Sequence, residues 1–272
     1  MTPTMDEILE VRNLNVWFPV KRGILARTVG HVKAVDGVSF KMLRGETLGV
    51  VGESGCGKST LSRAILGLVH PTKGEIFFDG RCIRGSAAGK MTRRECARKI
   101  QVVFQDPLAS LNPRHTVREI LTEGMLYHGL CDKTNARDKA AALLTRVGLP
   151  THILDRYPHE FSGGERQRLC IARAVALEPE LLICDEAVSA LDLSIRAQIL
   201  DLLVELKEKM GLSILFISHD IGVVQHVSDR VIVMNRGRIV ESGTCAEVLG
   251  NPRDEYTRTL IASVPRIRRR SA

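Results

Sequence analysis

The sequence predicts an α/β fold, and three observations lead to this prediction. Residues 48–51 form an apolar run typical of a buried parallel strand, and a glycine-rich segment and a helical pattern follow it. Helical patterns dominate residues 105–158, and strand patterns alternate with helices again from residue 181. Such alternation favours a parallel sheet with right-handed crossovers, in which ligands bind at the carboxyl ends of the strands.

The composition excludes several classes of protein. The chain has 272 residues, of which 44% are hydrophobic, enough for one large α/β domain or two smaller ones. Its seven cysteines show no C-x-x-C spacing, which argues against a zinc site or a disulfide framework and favours a reducing cytosol. We find no signal sequence and no long apolar run, so we expect no membrane-spanning segment.

The net charge of +8 is compatible with nucleic acid, anionic lipid or polyphosphate ligands. Most basic residues are spread along the chain. We interpret the one cluster, in the tail, as a solvated terminus, with an electrostatic role beside a membrane as the less favoured alternative; it comprises Arg266, Arg268, Arg269 and Arg270.

The strand patterns in the first part of the chain predict an antiparallel sheet beside the parallel sheet. Residues 8–20 alternate as strands do, residues 21–33 predict a basic loop, and residues 38–42 predict another strand. Two further strands are predicted at residues 75–78 and 100–104.

The middle of the chain predicts a helical insert, because residues 117–130 and 135–147 carry helical patterns. Beyond it we predict strands at residues 181–184 and 213–217, with a long amphipathic helix between them that ends at Gly211. A hairpin follows around residues 235–237. This order predicts four segments: an antiparallel region with the first part of the core (1–104), the helical insert (105–160), the rest of the core (161–250) and a tail (251–272).

The glycine-rich segment fits the phosphate-loop pattern G-x-x-x-x-G-K-[ST] at every fixed position. Its glycines let the backbone wrap a phosphate chain, and the helix N-terminus adds free N–H groups and positive partial charge. Lys58 is expected to reach the β- and γ-phosphates, and the Ser59 hydroxyl to ligate Mg²⁺. The same surroundings can lower the thiol pKa of Cys56, with the alternative that Cys56 is simply a small side chain at a tolerant position. The residues predicted to contact the nucleotide are Gly52, Glu53, Ser54, Gly55, Cys56, Gly57, Lys58, Ser59 and Thr60.

Two carboxylates follow the predicted strand at residues 181–184. Asp185, at a strand end beside a phosphate loop, can hold Mg²⁺, commonly through water. Glu186 can orient and deprotonate a water for in-line attack on a γ-phosphate. Alone the pair would be interpreted as an ordinary strand exit; together with the phosphate loop it favours nucleotide hydrolysis.

A second glycine-containing helix start lies at residues 161–165. Ser162 can cap this helix, and Gly163 and Gly164 permit close backbone approach to an anion. One nucleotide cannot easily use both helix starts of the same subunit.

These motifs, in this order, resemble the ATP-binding-cassette family over nearly the whole chain. The resemblance implies a P-loop NTPase core of the RecA-like type, with an antiparallel β subdomain and a helical insert. The phosphate loop is similar to the Walker A motif, and residues 181–186 are similar to Walker B with its catalytic glutamate, Glu186. ATP and Mg²⁺ are the implied cofactors, and ATP hydrolysis is the implied reaction.

The resemblance also implies roles that the residues alone do not reveal. Gln105 matches the metal-binding and coupling residue of the Q-loop, Asp192 lies in the D-loop, and His219 matches the switch histidine that senses the γ-phosphate. The signature that acts on the ATP of a partner subunit matches Ser162, Gly163 and Gly164. Phe18 matches the aromatic residue that stacks on adenine, with Trp17 as the close alternative.

Two residues depart from the family pattern. Glu165 stands where the signature usually has glutamine, and Ala187 follows Walker B where proline is usual. Glu165 adds a negative charge near the triphosphate, and Ala187 removes a restraint on φ. Neither removes a chemical group that hydrolysis needs.

A narrower resemblance, to the ATPases of oligopeptide, dipeptide, glutathione and nickel importers, lies in residues 105–113, 156–160, 251–252, 256–257 and 264–265. The sequence resembles the second ATPase of such a pair. The implied partners are a second cassette ATPase (a paralogue or the chain itself), two transmembrane permease subunits and an extracytoplasmic solute-binding protein. The implied location is peripheral, on the cytoplasmic face of the membrane, and no nucleic acid is expected.

Two alternatives remain beside this interpretation. A cassette ATPase that acts on nucleic acid or ribosomes gains slight support from the net charge, but such proteins usually carry tandem cassettes or long coiled-coil inserts. A non-hydrolysing regulatory cassette is disfavoured by the presence of Glu186 and His219.

Overall fold

The computed structural model describes residues 6–22, 27–85 and 91–263. The chain divides into two compact units, Met1–Lys90 with Phe216–Ala272, and Met91–Leu215. The arginine cluster of the tail and residues 264–265 lie outside the described residues. The predicted division at residues 104, 160 and 250 stays a prediction.

The strands, in chain order, are β1 (Glu7–Arg22), β2 (Arg27–Leu43), β3 (Thr47–Val51), β4 (Lys73–Phe78), β5 (Arg81–Arg84), β6 (Ile100–Val103), β7 (Leu181–Asp185), β8 (Ser213–Ile217), β9 (Arg230–Asn235) and β10 (Arg238–Thr244). The α-helices are α1 (Lys58–Leu66), α2 (Arg93–Lys99), α3 (Pro107–Ser110), α4 (Val117–Tyr127), α5 (Ala136–Arg146), α6 (Gly163–Val175), α7 (Leu193–Met210), α8 (Ile221–Val227), α9 (Cys245–Gly250) and α10 (Glu255–Ala262). Two short 3₁₀ helices lie at Thr151–Asp155 and Pro158–Glu160.

The first unit contains the predicted antiparallel sheet. Its strands pair in the order β2-β1-β4-β5, and each pair is antiparallel. The predicted loop at residues 21–33 is wrong at both ends, because Lys21 and Arg22 continue β1 and pair with Thr28 and Arg27 of β2. Lys21, Arg22 and Thr28 are exposed at this end of the ribbon, and so are Val29 and Val32, so backbone pairing extends it where no alternation of buried apolar residues indicates a strand.

The same unit contains the strands that lead to and from the phosphate loop. β9 is parallel to β3 and antiparallel to β10, which confirms the predicted hairpin around residues 235–237. Ser218, directly after β8, donates its N–H to the carbonyl of Val50 in β3, at 3.1 Å. The carboxyl ends of β3 and β8 therefore lie side by side.

The second unit holds the helical insert and the strand that ends in the two carboxylates. β6 runs parallel to β7, and all five residues of β7 are buried, as expected of a strand covered on both faces. Helices α4, α5 and α6 pack against one another around buried leucines such as Leu121, Leu144 and Leu169. Each such side chain stabilises the fold by roughly 1.5–3 kcal/mol relative to its exposed state.

The helix limits in this unit follow local sequence signals. α4 begins after Thr116, whose hydroxyl accepts from the N–H of Glu119 while the Glu119 carboxylate accepts from the N–H of Thr116. α7 ends at Gly211, which adopts a left-handed φ of 64°. None of the helices in the described ranges is long and apolar enough to cross a membrane.

Candidate functional site

The phosphate loop joins β3 to α1 in the first unit, and its glycines are required by close backbone contacts. Gly52 has φ of 151° and Gly57 has φ of 111°. A Cβ atom at Gly52 would lie 2.2 Å from the carbonyl oxygen of Met234, and one at Gly57 would lie 2.1 Å from that of Ala34. The loop therefore packs directly on the backbones of β2 and β9, and side chains at these two glycines would displace it.

Lys58 is the charged group of this loop. Its side chain is 4% exposed, and its Nζ donates to the carbonyl oxygens of Gly52 at 2.7 Å and Glu53 at 2.9 Å. Within the described residues, no side chain caps the start of α1 at Gly57, whereas capping boxes close the starts of α2, α4 and α6. An ammonium group beside an uncapped helix start, with Ser59 and Thr60 partly exposed in the first turn, is suited to binding a phosphate chain.

The prediction of a lowered pKa for Cys56 is wrong. The residue is 6% exposed, and burial is the largest influence on its thiol and raises the pKa. The charge of Lys58 acts in the opposite direction but does not overcome burial. The sulfur fills the space beneath Gly52, where a Cβ atom would lie 2.8 Å from it.

Two contacts on the loop come from sequence-distant segments that sequence reasoning missed. The phenolic oxygen of Tyr256 in α10 accepts from the N–H of Glu53 at 3.0 Å, and Gly237 of the β9–β10 turn donates its N–H to the carbonyl of Cys56 at 2.9 Å. The only available signals were the Tyr256-Thr257 pair, which indicated a subgroup, and the hairpin glycine. Neither pattern indicates which part of the fold it contacts.

The two aromatic residues of β1 differ in their surroundings. The Trp17 ring lies under Lys33 Nζ at 4.9 Å and Lys73 Nζ at 5.5 Å, and its backbone N–H donates to Thr72 Oγ1 at 2.9 Å. Phe18 is 42% exposed. The cations already engage the indole ring of Trp17, whereas Phe18 retains an exposed ring that a flat ligand could contact.

His219 lies at the carboxyl edge of the first unit's parallel strands. It is exposed and follows Ser218, whose N–H donates to the β3 carbonyl described above. Asp220 caps α8 by accepting from the N–H groups of Gly222 and Val223. Because β3 leads directly into the phosphate loop, the structure brings His219 to the strand edge from which that loop begins.

In the second unit, the two carboxylates occupy the end of β7. Asp185 is 6% exposed, and Glu186 follows with a left-handed φ of 52°. The carbonyl of Glu186 accepts from the N–H of Ser189 at 3.1 Å and from its hydroxyl at 2.9 Å. These bonds close a tight turn that holds the Glu186 backbone in a conformation uncommon for residues other than glycine. Ala187 is buried directly after it.

The helix start at residues 162–165 is exposed at its first two residues and partly exposed at the other two, and it adjoins the start of α7. Ser162 is the N-cap of α6, and Gly163 is exposed beside it. A Cβ atom at Gly164 would lie 2.7 Å from Cγ2 of Ile195 in α7, so only glycine fits there. Asp192 is the N-cap of α7. The structure therefore brings Ser162, Gly163 and Asp192 together at one surface of the second unit.

Gln105 lies in the same unit, exposed between β6 and α3. Asp106 caps α3 by accepting from the N–H of Leu108 at 2.8 Å. Arg173 of α6 donates to the carbonyl of Ser110, which fixes this segment against α6. In the part of the chain that the structure describes, no group of three or more His, Cys, Asp or Glu side chains could hold a metal ion by itself.

Comparison with protein families gives a match over residues 35–189 to the family described as ABC transporter. The chain is 51% identical over 267 residues to the oligopeptide transport ATP-binding protein AppF of Bacillus subtilis, covering 98% of this chain and 81% of that protein. It is 51% identical over 261 residues to the oligopeptide transport ATP-binding protein OppF of Salmonella typhimurium, covering 95% of this chain and 78% of that protein.

Solved structures share the fold. The cbiO1 protein of Clostridium perfringens, part of an ABC transporter complex, superposes with a TM-score of 0.76 at 31% identity, over 90% of this chain and 92% of that one. An ATP-binding cassette solved as a dimer with ADP and Pi gives a TM-score of 0.74 at 27% identity, over 88% of this chain and 99% of that one. Both bear out the mixed α/β fold that the sequence predicts.

Proposed function

The chain belongs to the ABC transporter family, and we propose that it is the ATP-hydrolysing subunit of an importer for peptides or a related small solute. The phosphate loop carries this proposal, because Lys58 lies at the uncapped start of α1. Its relatives AppF and OppF are named as ATP-binding proteins of oligopeptide transport, which supports peptides as the solute class.

We assign the phosphate chain of ATP to the loop and Lys58, and the adenine ring to Phe18. Exposure supports Phe18 over Trp17, whose ring two lysines already engage. Leaving its carbonyl partners, the Lys58 ammonium can bind the β- and γ-phosphate oxygens through charge-assisted hydrogen bonds. His219 is assigned to sense the γ-phosphate.

For Mg²⁺ the proposed ligands are the Ser59 hydroxyl, the Gln105 side chain and, through water, Asp185. These are oxygen donors of the kind Mg²⁺ prefers, and Mg²⁺ usually relies on substrate phosphates rather than on a cage of protein carboxylates. The absence of a carboxylate cluster among the described residues is compatible with that mode. When bound, Mg²⁺ would neutralise charge on the phosphate oxygens.

Glu186 is the proposed general base that orients and deprotonates the attacking water. Ser162, Gly163, Gly164 and Asp192 are assigned to the ATP held by a partner ATPase. The exposure of Ser162, Gly163 and Asp192 supports this, since residues that complete another subunit's site must be accessible. ATP-driven closure of two such subunits would then move the membrane subunits, and hydrolysis would reopen them.

The proposed assembly comprises a second cassette ATPase, two permease subunits and an extracytoplasmic solute-binding protein, with this chain at the cytoplasmic face of the membrane. The test is purification of the tagged full chain from membranes, identification of co-purifying subunits and reconstitution in liposomes. Uptake of labelled peptide and ATP hydrolysis should rise together when the binding protein is loaded, and Lys58→Ala should abolish both. Hydrolysis stimulated by RNA or DNA but not by peptide would favour the nucleic-acid alternative.

A further inference from the structure

One peptide group of the phosphate loop is held from both sides. The Gly52 carbonyl accepts from Lys58 Nζ at 2.7 Å, and the N–H of the same peptide group, belonging to Glu53, donates to the Tyr256 phenolic oxygen at 3.0 Å. The described residues contain no cis peptide bond, so this group is planar and its C=O and N–H point in opposite directions. Lys58 and Tyr256 therefore fix a single orientation between them.

The orientation of this group is fixed by these two hydrogen bonds, one from Lys58 within the loop and one to Tyr256 outside it. Gly52 has φ of 151° and carries no Cβ atom, so its own side chain does not restrict rotation of the peptide group that follows it. Rotation of the group would remove the carbonyl from the Lys58 ammonium and the N–H from Tyr256 at the same time. The two hydrogen bonds thus support each other.

Tyr256 is itself held by contacts outside the loop. Its backbone N–H donates to Asp254 Oδ1 at 2.8 Å, and the N–H groups of Arg253 and Asp254 donate to the Glu241 carboxylate of β10 at 2.8 and 3.1 Å. Thr257 and Leu260 bury the other side of α10. Burial is the main cause that raises the pKa of Tyr256, so its hydroxyl stays neutral and keeps its acceptor role at physiological pH.

We propose that Tyr256 is a positioning residue for ATP binding. It acts on the position of the Lys58 side chain through the peptide group between Gly52 and Glu53. The inference rests on the proposed function, because it assumes that Lys58 binds the phosphates of ATP. Tyr256 touches no reacting atom. It holds the loop in one conformation. In that conformation the Lys58 ammonium can exchange its two carbonyl partners for the phosphate oxygens of ATP.

The test compares Tyr256→Phe with the wild-type full chain in the reconstituted importer. The substitution removes one hydroxyl and keeps the ring, so loss of one hydrogen bond should raise the KM for MgATP by roughly three- to tenfold while kcat changes by less than about twofold. Competition by adenosine, which has no phosphate, should be unchanged. Thr259→Val is the matched control, because it removes a hydroxyl that donates only within α10, to the Glu255 carbonyl at 3.0 Å.

Two further readouts separate positioning from a general loss of stability. Modification of Cys56 by a maleimide should be faster in Tyr256→Phe, since the thiol lies beneath Gly52, and it should be unchanged in Thr259→Val. Glu241→Gln, which weakens the support of α10, should raise KM in the same direction by a smaller factor. In a Lys58→Ala background, Tyr256→Phe should cause no additional loss of binding of a fluorescent ATP analogue.

An unchanged KM in Tyr256→Phe, or an equal loss in the presence and absence of Lys58, would overturn the inference. If the wild-type chain did not bind ATP, or if Lys58→Ala alone had no effect, the proposed function would fail as well. Normal ATP binding by the wild type with a strong Lys58→Ala defect and no Tyr256→Phe defect would reject the inference only.

Discussion

Glu165 accepts two hydrogen bonds from Ser162, one from its N–H at 2.8 Å and one from its hydroxyl at 2.7 Å. These two bonds are the largest causes that lower the pKa of Glu165, so the carboxyl is ionised at neutral pH. The hydroxyl proton that Ser162 is proposed to offer to a partner's ATP is therefore already donated to a carboxylate. Glu165, where the family usually has glutamine, therefore holds the Ser162 hydroxyl through a charge-assisted hydrogen bond.

Replacement of Glu165 by glutamine should weaken the hydrogen bond from the Ser162 hydroxyl. A neutral amide oxygen is a weaker acceptor than a carboxylate, so we expect Glu165→Gln to lower the ATP concentration for half-maximal dimer closure by about two- to fivefold. The free energy of unfolding should fall by no more than about 1 kcal/mol. The matched control is Glu119→Gln, in the equivalent capping box of α4. It should cost similar stability and leave closure unchanged; a closure shift in both variants would contradict the prediction.

Stability should depend on pH through the capping-box glutamates. Backbone N–H donation from the N-cap residue is the first cause that lowers the pKa of Glu119, Glu165 and Glu247 from the ordinary value of 4.5. Because the folded-state pKa is the lower one, their contribution is complete above pH 4.5 and is lost as the pH falls through the folded-state values. The urea midpoint should decline in that acidic range and decline less in the triple Glu→Gln variant. An equal decline of the urea midpoint with falling pH in the wild type and the triple variant would contradict the prediction.

Glu186→Gln should separate binding from hydrolysis. The variant keeps the size of the side chain but cannot deprotonate water, so turnover should fall by about 10²–10⁴-fold while ATP affinity is retained. The closed ATP-bound dimer should accumulate, because one negative charge is also removed. ATPase assays and ATP-dependent cross-linking of the assembled complex measure both effects. Near-normal turnover would rule out Glu186 as the base.

The two anion-binding helix starts should serve different ATP molecules. When the Lys58→Ala chain is paired with a partner mutated in its signature serine, both lesions fall in one shared site and the other site stays intact. When the Lys58→Ala chain is paired with a partner mutated in its own Walker lysine, each of the two sites carries one mutation. ATP-dependent cross-linking across the dimer should survive better in the first pairing. Equal loss in both would argue against shared sites, provided that each single mutant alone retains closure.

Gly237 should be far less tolerant of substitution than Gly45, although both residues have positive φ. A Cβ atom at Gly237 would lie 2.8 Å from the Lys33 carbonyl, whereas nothing lies within 4 Å of one at Gly45. Gly45→Ala should cost about 1–2 kcal/mol for its backbone conformation alone. Gly237→Ala should cost about 2–4 kcal/mol because crowding adds to that cost, and it should weaken ATP binding because the turn supports the loop at Cys56. Urea denaturation and ATP titration of both variants test this, and equal costs would be inconsistent with it.

Much of the fold was predictable because its signals are local. The buried strand β7, the capped helix α4 and the αL end of α7 at Gly211 each follow from patterns within a few residues. The far end of the β1–β2 ribbon was not predicted, since backbone pairing there extends beyond the alternation of buried apolar residues. The short strand β5 was missed for a similar reason, as its four residues include two arginines.

The sequence by itself determined the phosphate loop, the carboxylate pair and the helix start at Ser162, because glycine spacing and caps act over a few bonds. Only the tertiary structure decided how these groups are held. It placed Tyr256 on Glu53 across 203 residues, buried Cys56 so that its pKa rises, and showed which ring of β1 stays exposed. Burial and long-range hydrogen bonds depend on where distant segments pack, and local residue patterns carry no record of that placement.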